Sequence, residues 1–425
     1  MSAVHRKETQ IPPWVLMLAA ASILSITMGI RQSMGLFVLP IVAATGVGLV
    51  SVSFALAVGQ FVWGAAQPLF GAIADQYGAR LVMIVGALLL AAGAVLAPGF
   101  SSELGFIATL GILIAAGTAA GSFAILIGVT ARSLPSAKRS FAAGLINAGG
   151  SVGQLAFAPF AQYLIGSSGW GVGMFAIAIS ALLTIPLAWL FRGSGASESG
   201  VDADSPNEHS SAAIRDRTAP LSLREQLRTA ARDRSYLFLH AGFFTCGFHI
   251  AFLVTHLPGE LQMCGLSASV AANSLAIIGG ANFIGSVLVG WLGGRYRMKY
   301  ILACLYASRA AVIVCYLLMP KTAFNVYLVA GALGFSWLAT VPPTAGLVGK
   351  LFGTRYLTTL FGLTLLSHQI GGFLGAWLGG VAMAKLGSYQ WVWYADIALA
   401  VFAALINLPI RESIPVRAGP RAAPA

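Results

Sequence analysis

The chain has 425 residues, of which 58% are hydrophobic and only 9% are charged. A soluble domain carries about 25% charged residues, so this composition excludes a set of soluble domains and places most of the chain in lipid. The formal net charge of +12 does not indicate nucleic-acid binding, because the basic residues stand at the ends of apolar runs and not on a soluble face.

Apolar runs that are long enough to cross a bilayer follow one another along the whole chain. WVLMLAAASILSITMGI (Trp14 to Ile30) and LVMIVGALLLAAGAVLA (Leu81 to Ala97) are two of them. Since a helix rises 1.5 Å per residue, about 20 residues cross the hydrocarbon core. We predict an all-α membrane protein with twelve transmembrane helices at about 13–40, 46–73, 81–98, 104–131, 140–164, 170–191, 235–261, 265–293, 300–319, 324–346, 357–383 and 389–411.

The basic residues of the loops fall almost entirely on one side of the membrane. When the N-terminus is placed in the cytoplasm, only Lys321 and Lys385 lie outside, and Arg31 and Arg309 lie within helices. Cytoplasmic loops carry the excess of Lys and Arg, so we expect both termini in the cytoplasm and the protein in the inner membrane of the cell. The first apolar run is too long for a signal peptide, and we expect it to remain in the protein.

One long loop divides the sequence in the middle. Its first part, Gly193 to Ser211, is polar and has the composition of a linker. In its second part, Ser222 to Arg234, Ser222 and Glu225 have the spacing of a capping box, which predicts a short amphipathic helix on the inner leaflet. The predicted divisions are a six-helix half at 1–191, the linker at 192–234, a second six-helix half at 235–411 and a cytoplasmic tail at 412–425.

The two halves resemble each other in sequence. The segment GIRQSMGLFVLP, which begins at Gly29, aligns with GFHIAFLVTHLP, which begins at Gly247, and GAIADQYGAR at Gly71 aligns with GWLGGRYRMK at Gly290. A GGxxG pattern also occurs in both the fifth and the eleventh predicted helix. These matches occur in the same order at nearly one offset, which predicts a duplicated six-helix unit. We expect the two glycine-rich helices to pack closely between the halves.

The loop after the second predicted helix carries the pattern G-x-x-x-D-x-x-G-x-R, formed by Gly71, Asp75, Gly78 and Arg80. It resembles the signature loop of the major facilitator superfamily, and a degraded second copy has Gly294 in place of the acid. The resemblance covers essentially the whole chain. It implies two pseudo-symmetric six-helix halves, a substrate site between them near the midplane, and a gating role for this loop.

Ionisable residues at membrane depth are the first candidates for a binding site, because each costs about 2.5 to 3.5 kcal/mol on insertion scales. Arg31 lies deep in the first predicted helix, and His249 is its repeat counterpart in the seventh, so we expect both to face one ligand. Among the acids only Asp396 is expected inside the membrane, so Arg31 has no evident counterion. Such a guanidinium suits bidentate capture of a carboxylate or phosphate. The alternatives are an Arg31 bonded to carbonyls of a broken helix and a neutral His249 bonded to a neighbouring helix.

RQSMGLFVLP (Arg31 to Pro40) also resembles the first-helix segment of organic-anion carriers in this superfamily. In the glycerol-3-phosphate/phosphate antiporter, such an Arg and its counterpart in the seventh helix bind the anion. The counterpart here is His249, so a doubly charged phosphate should be held less well than a singly charged anion.

Three further segments resemble bacterial members of the monocarboxylate porter and oxalate/formate antiporter group. They are THLPGELQMCGLSASVAA from Thr255, FSWLATVPPTAGLV from Phe335 and SHQIGGFLGAWLGG from Ser367. The resemblance implies a small monocarboxylate as substrate. That group often carries a basic residue in the eighth helix and another in the eleventh, whereas here the eighth has none and the eleventh offers His368.

Other polar or aromatic residues within helices are weaker candidates for the site. Trp337, followed by two prolines, indicates a kinked, cavity-lining tenth helix. His368, beside Gln369, is either a substrate ligand or a hydrogen-bonding contact between helices. His256 is either a vestibule residue or an interfacial one. We expect Arg309 to pair with polar groups of its own half or to extend toward the membrane surface.

Together these features predict a secondary transporter for a small organic anion, monomeric, and neither an enzyme nor dependent on a cofactor or metal. His249 is the expected proton carrier beside the site, because histidine titrates near neutral pH, and this favours proton symport. The alternatives are an exchanger of the oxalate/formate type that uses a counter-anion, a multidrug or other solute efflux carrier, and a membrane receptor or sensor that does not transport.

Overall fold

The computed structural model of the protein describes residues 12–132, 136–191, 223–353 and 357–412. Within these ranges the regular elements are all helical, which confirms the predicted fold class. Ten segments are long and apolar enough to span a membrane. Two further long helices, Ser136–Ser168 and Leu357–Leu386, lie where the fifth and eleventh transmembrane helices are predicted.

We label the long helices α1 to α12 in chain order. Their bounds are Pro13–Ser33 with Gly35–Thr45 (α1), Leu49–Tyr77 (α2), Ala79–Leu96 (α3), Glu103–Phe106, Ile107–Ile114, Ala115–Ala120 and Phe123–Arg132 (α4), Ser136–Ser168 (α5), Trp170–Leu182 with Thr184–Ala188 (α6), Arg234–Met263 (α7), Ala268–Gly293 (α8), Met298–Leu318 (α9), Ala323–Ser336 with Val341–Phe352 (α10), Leu357–Leu386 (α11) and Gln390–Asn407 (α12). The face that carries the start of α1 and the end of α12 is called the terminal face, and the opposite one the far face.

A short linker helix, Leu223–Arg232, precedes α7, as the sequence predicts. Ala230 is buried on one side of it, whereas Arg228 and Arg232 are exposed on the other, so the helix is amphipathic. Ser222 of the predicted capping box lies outside the described residues.

Helix α10 is broken between Ser336 and Val341. The two prolines directly after Val341 lack an N–H group and are tolerated only because they stand in the first turn of the second segment. The break leaves backbone groups without helical partners, and the Leu338 N–H donates instead to Oδ1 of Asn282 in α8 at 3.0 Å. The tenth helix is therefore interrupted where the sequence predicts a kink.

Glycines bring α5 onto α1, and α11 onto α7, at backbone contact. Gly153 lies against the carbonyl of Ser25, and Gly375 lies against the carbonyl of Phe248 in the same way, with no room for a β-carbon at either glycine. Helices α5 and α11 do pack between the halves, against α8 and α2, as expected, but Gly153 and Gly375 contact helices of their own half. Each serves its own half, because a repeated pattern places the same contact once in each copy.

The halves meet through α2 against α11 and α5 against α8. On the far face, the Val254 carbonyl leaves no room for a β-carbon at Gly35, and Gly380 lies directly against α2. Toward the terminal face, no other helix has an atom within 4 Å of the β-carbon positions of Gly71 and Gly362 among the residues that the structure describes. In the described part of the chain the halves are thus in close contact on the far face and not at these two glycines, as expected for one end state of two rocking halves.

Candidate substrate-binding site

Arg31 lies where the two halves meet. It stands in the last turn of the first segment of α1. Its Nη2 donates to Oε1 of Gln60 in α2 and, at 3.3 Å, to Oε1 of Gln369 in α11. Its Cζ lies 4.2 Å from the centroid of the Trp63 ring, one turn along α2 from Gln60. Side chains from both halves therefore hold the guanidinium.

The charge of Arg31 is not compensated by a carboxylate among the described residues. Its hydrogen-bond partners are neutral amides, and the Trp63 face contributes about 0.5 to 2 kcal/mol of cation–π attraction. A guanidinium has five N–H donors in a planar fork, and the two amides occupy only Nη2. The remaining donors and the net positive charge suit a bound anion.

His368 joins this group through Gln369. The Gln369 Nε2 lies 3.1 Å from His368 Nδ1. Because Oε1 of Gln369 accepts from Arg31, its amide nitrogen must donate to the histidine, so Nδ1 is the unprotonated ring nitrogen. Nε2 of His368 has no hydrogen-bond partner in the described part of the chain. We call Arg31, Gln60, Trp63, His368 and Gln369 the interface cluster.

The structure does not bring His249 to Arg31. Its Nδ1 lies 2.5 Å from Oδ2 of Asp396 in α12, and both side chains are fully buried inside the second half. Its ring centroid is 5.7 Å from that of Trp337. Repeat offset gives the position of a residue on its helix but not the partner of its side chain, and here a buried carboxylate supplies that partner. The expected pairing of Arg31 and His249 on one ligand is therefore absent in this conformation.

Arg309 closes the break in α10. Its Nη2 donates to the carbonyls of Ser336 and Trp337 at 2.8 and 3.1 Å, and the side chain is fully buried. Asp396 attracts this charge from beyond ion-pair distance, since no ion pair joins the two among the described residues. Trp337 is also fully buried and contacts both Arg309 and His249, so it does not line an open cavity in this conformation. We call His249, Arg309, Trp337 and Asp396 the second-half cluster.

Two other titratable residues of α7 make contacts with neighbouring helices. His256 is buried, and its Nε2 lies 2.6 Å from the Ala376 carbonyl in α11. Glu260 is half-buried and accepts hydrogen bonds from Trp393 Nε1 at 2.6 Å and from Tyr316 Oη at 3.0 Å. The sequence did not lead us to expect these contacts of Glu260, although its spacing of about three helical turns from His249 places both on one side of α7.

The predicted gating loop joins α2 to α3 on the terminal face. Gly78 has φ of 90°, a conformation that favours glycine, and forms both the end of α2 and the start of α3. Arg80 is exposed, with Cζ 5.0 Å from the ring of Trp189 at the end of α6. The side chain of Asp75 lies outside the described residues. The gating role of the loop stays a prediction.

Sequence reasoning missed two members of the interface cluster, Gln60 and Trp63. A signal was present, since VGQFVW places a glutamine amide in an otherwise apolar helix, where it must find a polar partner. In the described ranges, no group of three or more His, Cys, Asp or Glu side chains could hold a metal ion.

Two helical halves that close on one face around a guanidinium define a multi-pass membrane transporter. Residues 15–376 match the Major Facilitator Superfamily, and the chain belongs to this family. It is a transporter and not an enzyme.

Comparison with known proteins confirms the resemblance seen in the sequence. The chain is 26% identical to monocarboxylate transporter 13 of Rattus norvegicus, over 96% of this chain and 91% of that protein. It is 23% identical to the oxalate:formate antiporter of Oxalobacter formigenes, over 88% and 86% of the two chains. The crystal structure of a D-xylose-proton symporter shares the fold, with a TM-score of 0.69 over 93% of this chain and 97% of that one at 15% identity.

Proposed function

We propose that the protein carries a small monocarboxylate across the membrane by alternating access, together with a proton. The observation that supports this most directly is Arg31, a guanidinium between the halves whose hydrogen-bond partners are two neutral amides. Its free donors form a planar pair that matches a carboxylate. A single permanent positive charge in the interface cluster favours a singly charged anion over a dianion.

Two of the similar proteins support the substrate class. Monocarboxylate transporter 13 and the oxalate:formate antiporter are both named for small organic acids. Neither identity is high enough to carry a particular substrate to this chain, and the substrate class therefore rests on the chemistry of Arg31.

The position of Arg31 also offers a way to couple binding to movement. Arg31 joins Gln60 of the first half to Gln369 of the second, so a carboxylate that takes over its donors competes with a bond between the halves. A bound substrate would thus change the relative stability of the closed and open arrangements, which is what a ligand must do to shift a conformational equilibrium.

We assign the coupled proton to His368. Protonation of Nδ1 would break its hydrogen bond with Gln369 and place a second positive charge near Arg31, which favours carboxylate binding. By reciprocal linkage, a bound carboxylate favours protonation to the same degree, so anion and proton load together. His249, the carrier expected from the sequence, is the second candidate, because its contact with Asp396 offers a buried pair that can take up a proton.

The test is flux in proteoliposomes loaded with purified protein, measured for a panel of labelled mono- and dicarboxylates with and without a pH gradient. We expect monocarboxylate uptake that rises when the outside is acidified. Uptake that requires a counter-anion inside and does not depend on the pH gradient would show that the protein is an exchanger and not a symporter. Flux of lipophilic cations alone would indicate an efflux carrier, and no flux of any solute would favour a receptor.

We further propose that the terminal face is cytoplasmic, in the inner membrane, and that the transporter works as a monomer with its halves divided at 192–234. The bias of loop Lys and Arg residues supports the orientation. Labelling of single cysteines introduced at Arg295 on the terminal face and at Lys385 on the far face, in intact cells, tests it. Labelling of the first and not the second by an impermeant reagent would reverse the orientation.

A further inference from the structure

A basic cavity of about 750 Å³ opens on the terminal face between the linker helix, the start of α7 and the end of α12. The residues that line it include Arg228, Arg232, Arg234 and Arg411 and one acid, Asp233. None of these residues belongs to the interface cluster or the second-half cluster. The cavity is therefore a feature separate from the proposed substrate site.

The carboxylate of this cavity is already engaged. Oδ1 of Asp233 accepts from the Tyr236 N–H at 3.1 Å and caps α7, while Oδ2 lies 2.5 Å from Nη2 of Arg411. Arg411 is held a second time, because its N–H donates to Ser235 Oγ at 3.0 Å. The next residue, Glu412, accepts from two N–H groups at the start of α9 and so does not offset the charge of the cavity.

The other three arginines have no ion-pair partner among the described residues. Arg228 and Arg232 are one helical turn apart on the exposed side of the linker helix, while the buried Ala230 fixes the helix to the bundle. The cavity is thus lined by more arginines than acidic residues, and its wall is formed by packed helices. Arg411, bound on two sides, provides the fixed point of that wall.

Apolar residues complete the cavity on its membrane side. Phe238 in the second turn of α7 and Pro409 after the end of α12 both line it. An amphipathic helix beside the first turn of one membrane helix and the end of another lies at the depth of lipid headgroups. A ligand with a phosphate group and an attached hydrocarbon part matches this combination of guanidinium and apolar lining.

We propose that this cavity binds the phosphate group of an anionic ligand, either the headgroup of an acidic phospholipid or a soluble phosphate ester. Arginine forks pair with phosphate oxygens in two parallel hydrogen bonds, and four arginines line one cavity here. Binding would fix the linker helix to the second half, since the cavity wall includes the linker, the start of α7 and residues after α12. The proposal does not depend on which solute the protein transports.

The test uses full-length protein in a neutral detergent and follows its thermal unfolding on titration with phosphatidylglycerol, phosphatidylcholine or glycerol phosphate. We expect phosphatidylglycerol to stabilise the wild type and phosphatidylcholine to have little effect. The double variant Arg228→Gln/Arg232→Gln should bind about thirtyfold more weakly, since each charge near an anionic lipid contributes about fivefold. Arg295→Gln is the matched control, because Arg295 is exposed on the same face and lies over Trp291, away from the cavity.

The three titrated ligands also distinguish the two possible sources of the phosphate group. Stabilisation by phosphatidylglycerol but not by glycerol phosphate assigns a lipid, and equal stabilisation by both assigns a soluble ester. An equal loss in Arg295→Gln and in the double variant would overturn the proposal in favour of general surface charge. The absence of a phosphate effect on the wild type would also overturn it. A charge-preserving variant, Arg228→Lys/Arg232→Lys, should lose part of the affinity if the paired geometry contributes, and none if charge alone does.

Discussion

Arg31 and Arg309 are both arginines inside a membrane bundle, yet they are compensated in different ways. Arg309 caps carbonyls of the broken α10 and is attracted to Asp396, and all of these groups belong to the second half. Arg31 is bonded to neutral amides from both halves and keeps its net charge. A charge neutralised within one half stabilises that half, whereas a charge left open between two halves is available to a ligand.

The same difference separates the two histidines. His249 is locked against Asp396 and has no exposed surface, whereas His368 is joined to Arg31 through one amide. The interface cluster is therefore expected to control transport and the second-half cluster to control stability. Variants in the two clusters test this division.

The largest effect is expected for Asp396→Asn. It would remove the carboxylate that lies 2.5 Å from His249 Nδ1, and breaking a buried pair costs about 3 to 5 kcal/mol of the free energy of unfolding. The measurement is thermal and denaturant unfolding of the purified variant, together with its yield as a monodisperse peak.

The double variant His249→Gln/Asp396→Asn provides the control, because it replaces both members of the buried pair at once. Its loss of stability should be smaller than the sum of the two single losses. Strict additivity of the two single changes would show that the two side chains do not interact, and would remove the contrast with His368.

The second effect is expected for Arg31→Lys. A lysine keeps the charge but cannot form the planar pair of donors, so kcat/KM for the carboxylate should fall about 100-fold, the worth of one charge-assisted hydrogen bond. The unfolding temperature should remain close to that of the wild type. Arg295→Lys, on the surface, controls for the exchange of residue type. Flux at the wild-type level in Arg31→Lys would exclude Arg31 as the carboxylate ligand.

A third comparison sets His368→Gln against His249→Gln. If His368 carries the proton, its replacement should abolish the rise in uptake on acidifying the outside, a rise of up to about tenfold per pH unit for one coupled proton. His249→Gln should keep this rise but lower thermal stability, because it removes the partner of Asp396. The opposite pattern would identify His249 as the proton carrier, as predicted from the sequence alone.

The fold could largely be predicted from the sequence, because the length of each apolar run and the charge of each loop can be read along the chain without knowing which helices pack together. The break in α10 was also predictable, since consecutive prolines leave backbone groups without partners. Arg31 could be singled out because a lone charge at membrane depth is costly. Gln60 could be recognised as a polar residue that needs a partner, but the pairing of Gln60 and Trp63 with Arg31 could not be predicted, since it depends on how α2 turns toward α1, which repeat alignment does not specify.

The same limit explains His249. The sequence repeat aligned His249 with Arg31, but the carboxylate that it contacts comes from Asp396 in α12, 147 residues away in the chain. The contacts of Glu260 could not be predicted for a related reason, because its partners Trp393 and Tyr316 lie on two other helices. Pairings between distant helices require the packed structure.

The smallest effect is expected on the terminal face, where Arg80 lies in the signature loop and Arg295 lies in its second copy, at a position that does not align with Arg80. Arg80 at the start of α3 stacks on Trp189 at the end of α6, so its contact joins two helices, whereas Arg295 stacks on Trp291 within the end of α8. An exposed cation–π contact contributes about 0.5 to 1 kcal/mol, so Arg80→Ala should change turnover by about two- to fivefold and leave KM nearly constant. Arg295→Ala should leave both values unchanged, because its loss separates no pair of helices. Initial rates of flux over a range of substrate concentrations measure both quantities. Equal changes in the two variants would mean that the loop acts through charge alone, and a change in KM with constant turnover would place Arg80 on the substrate path.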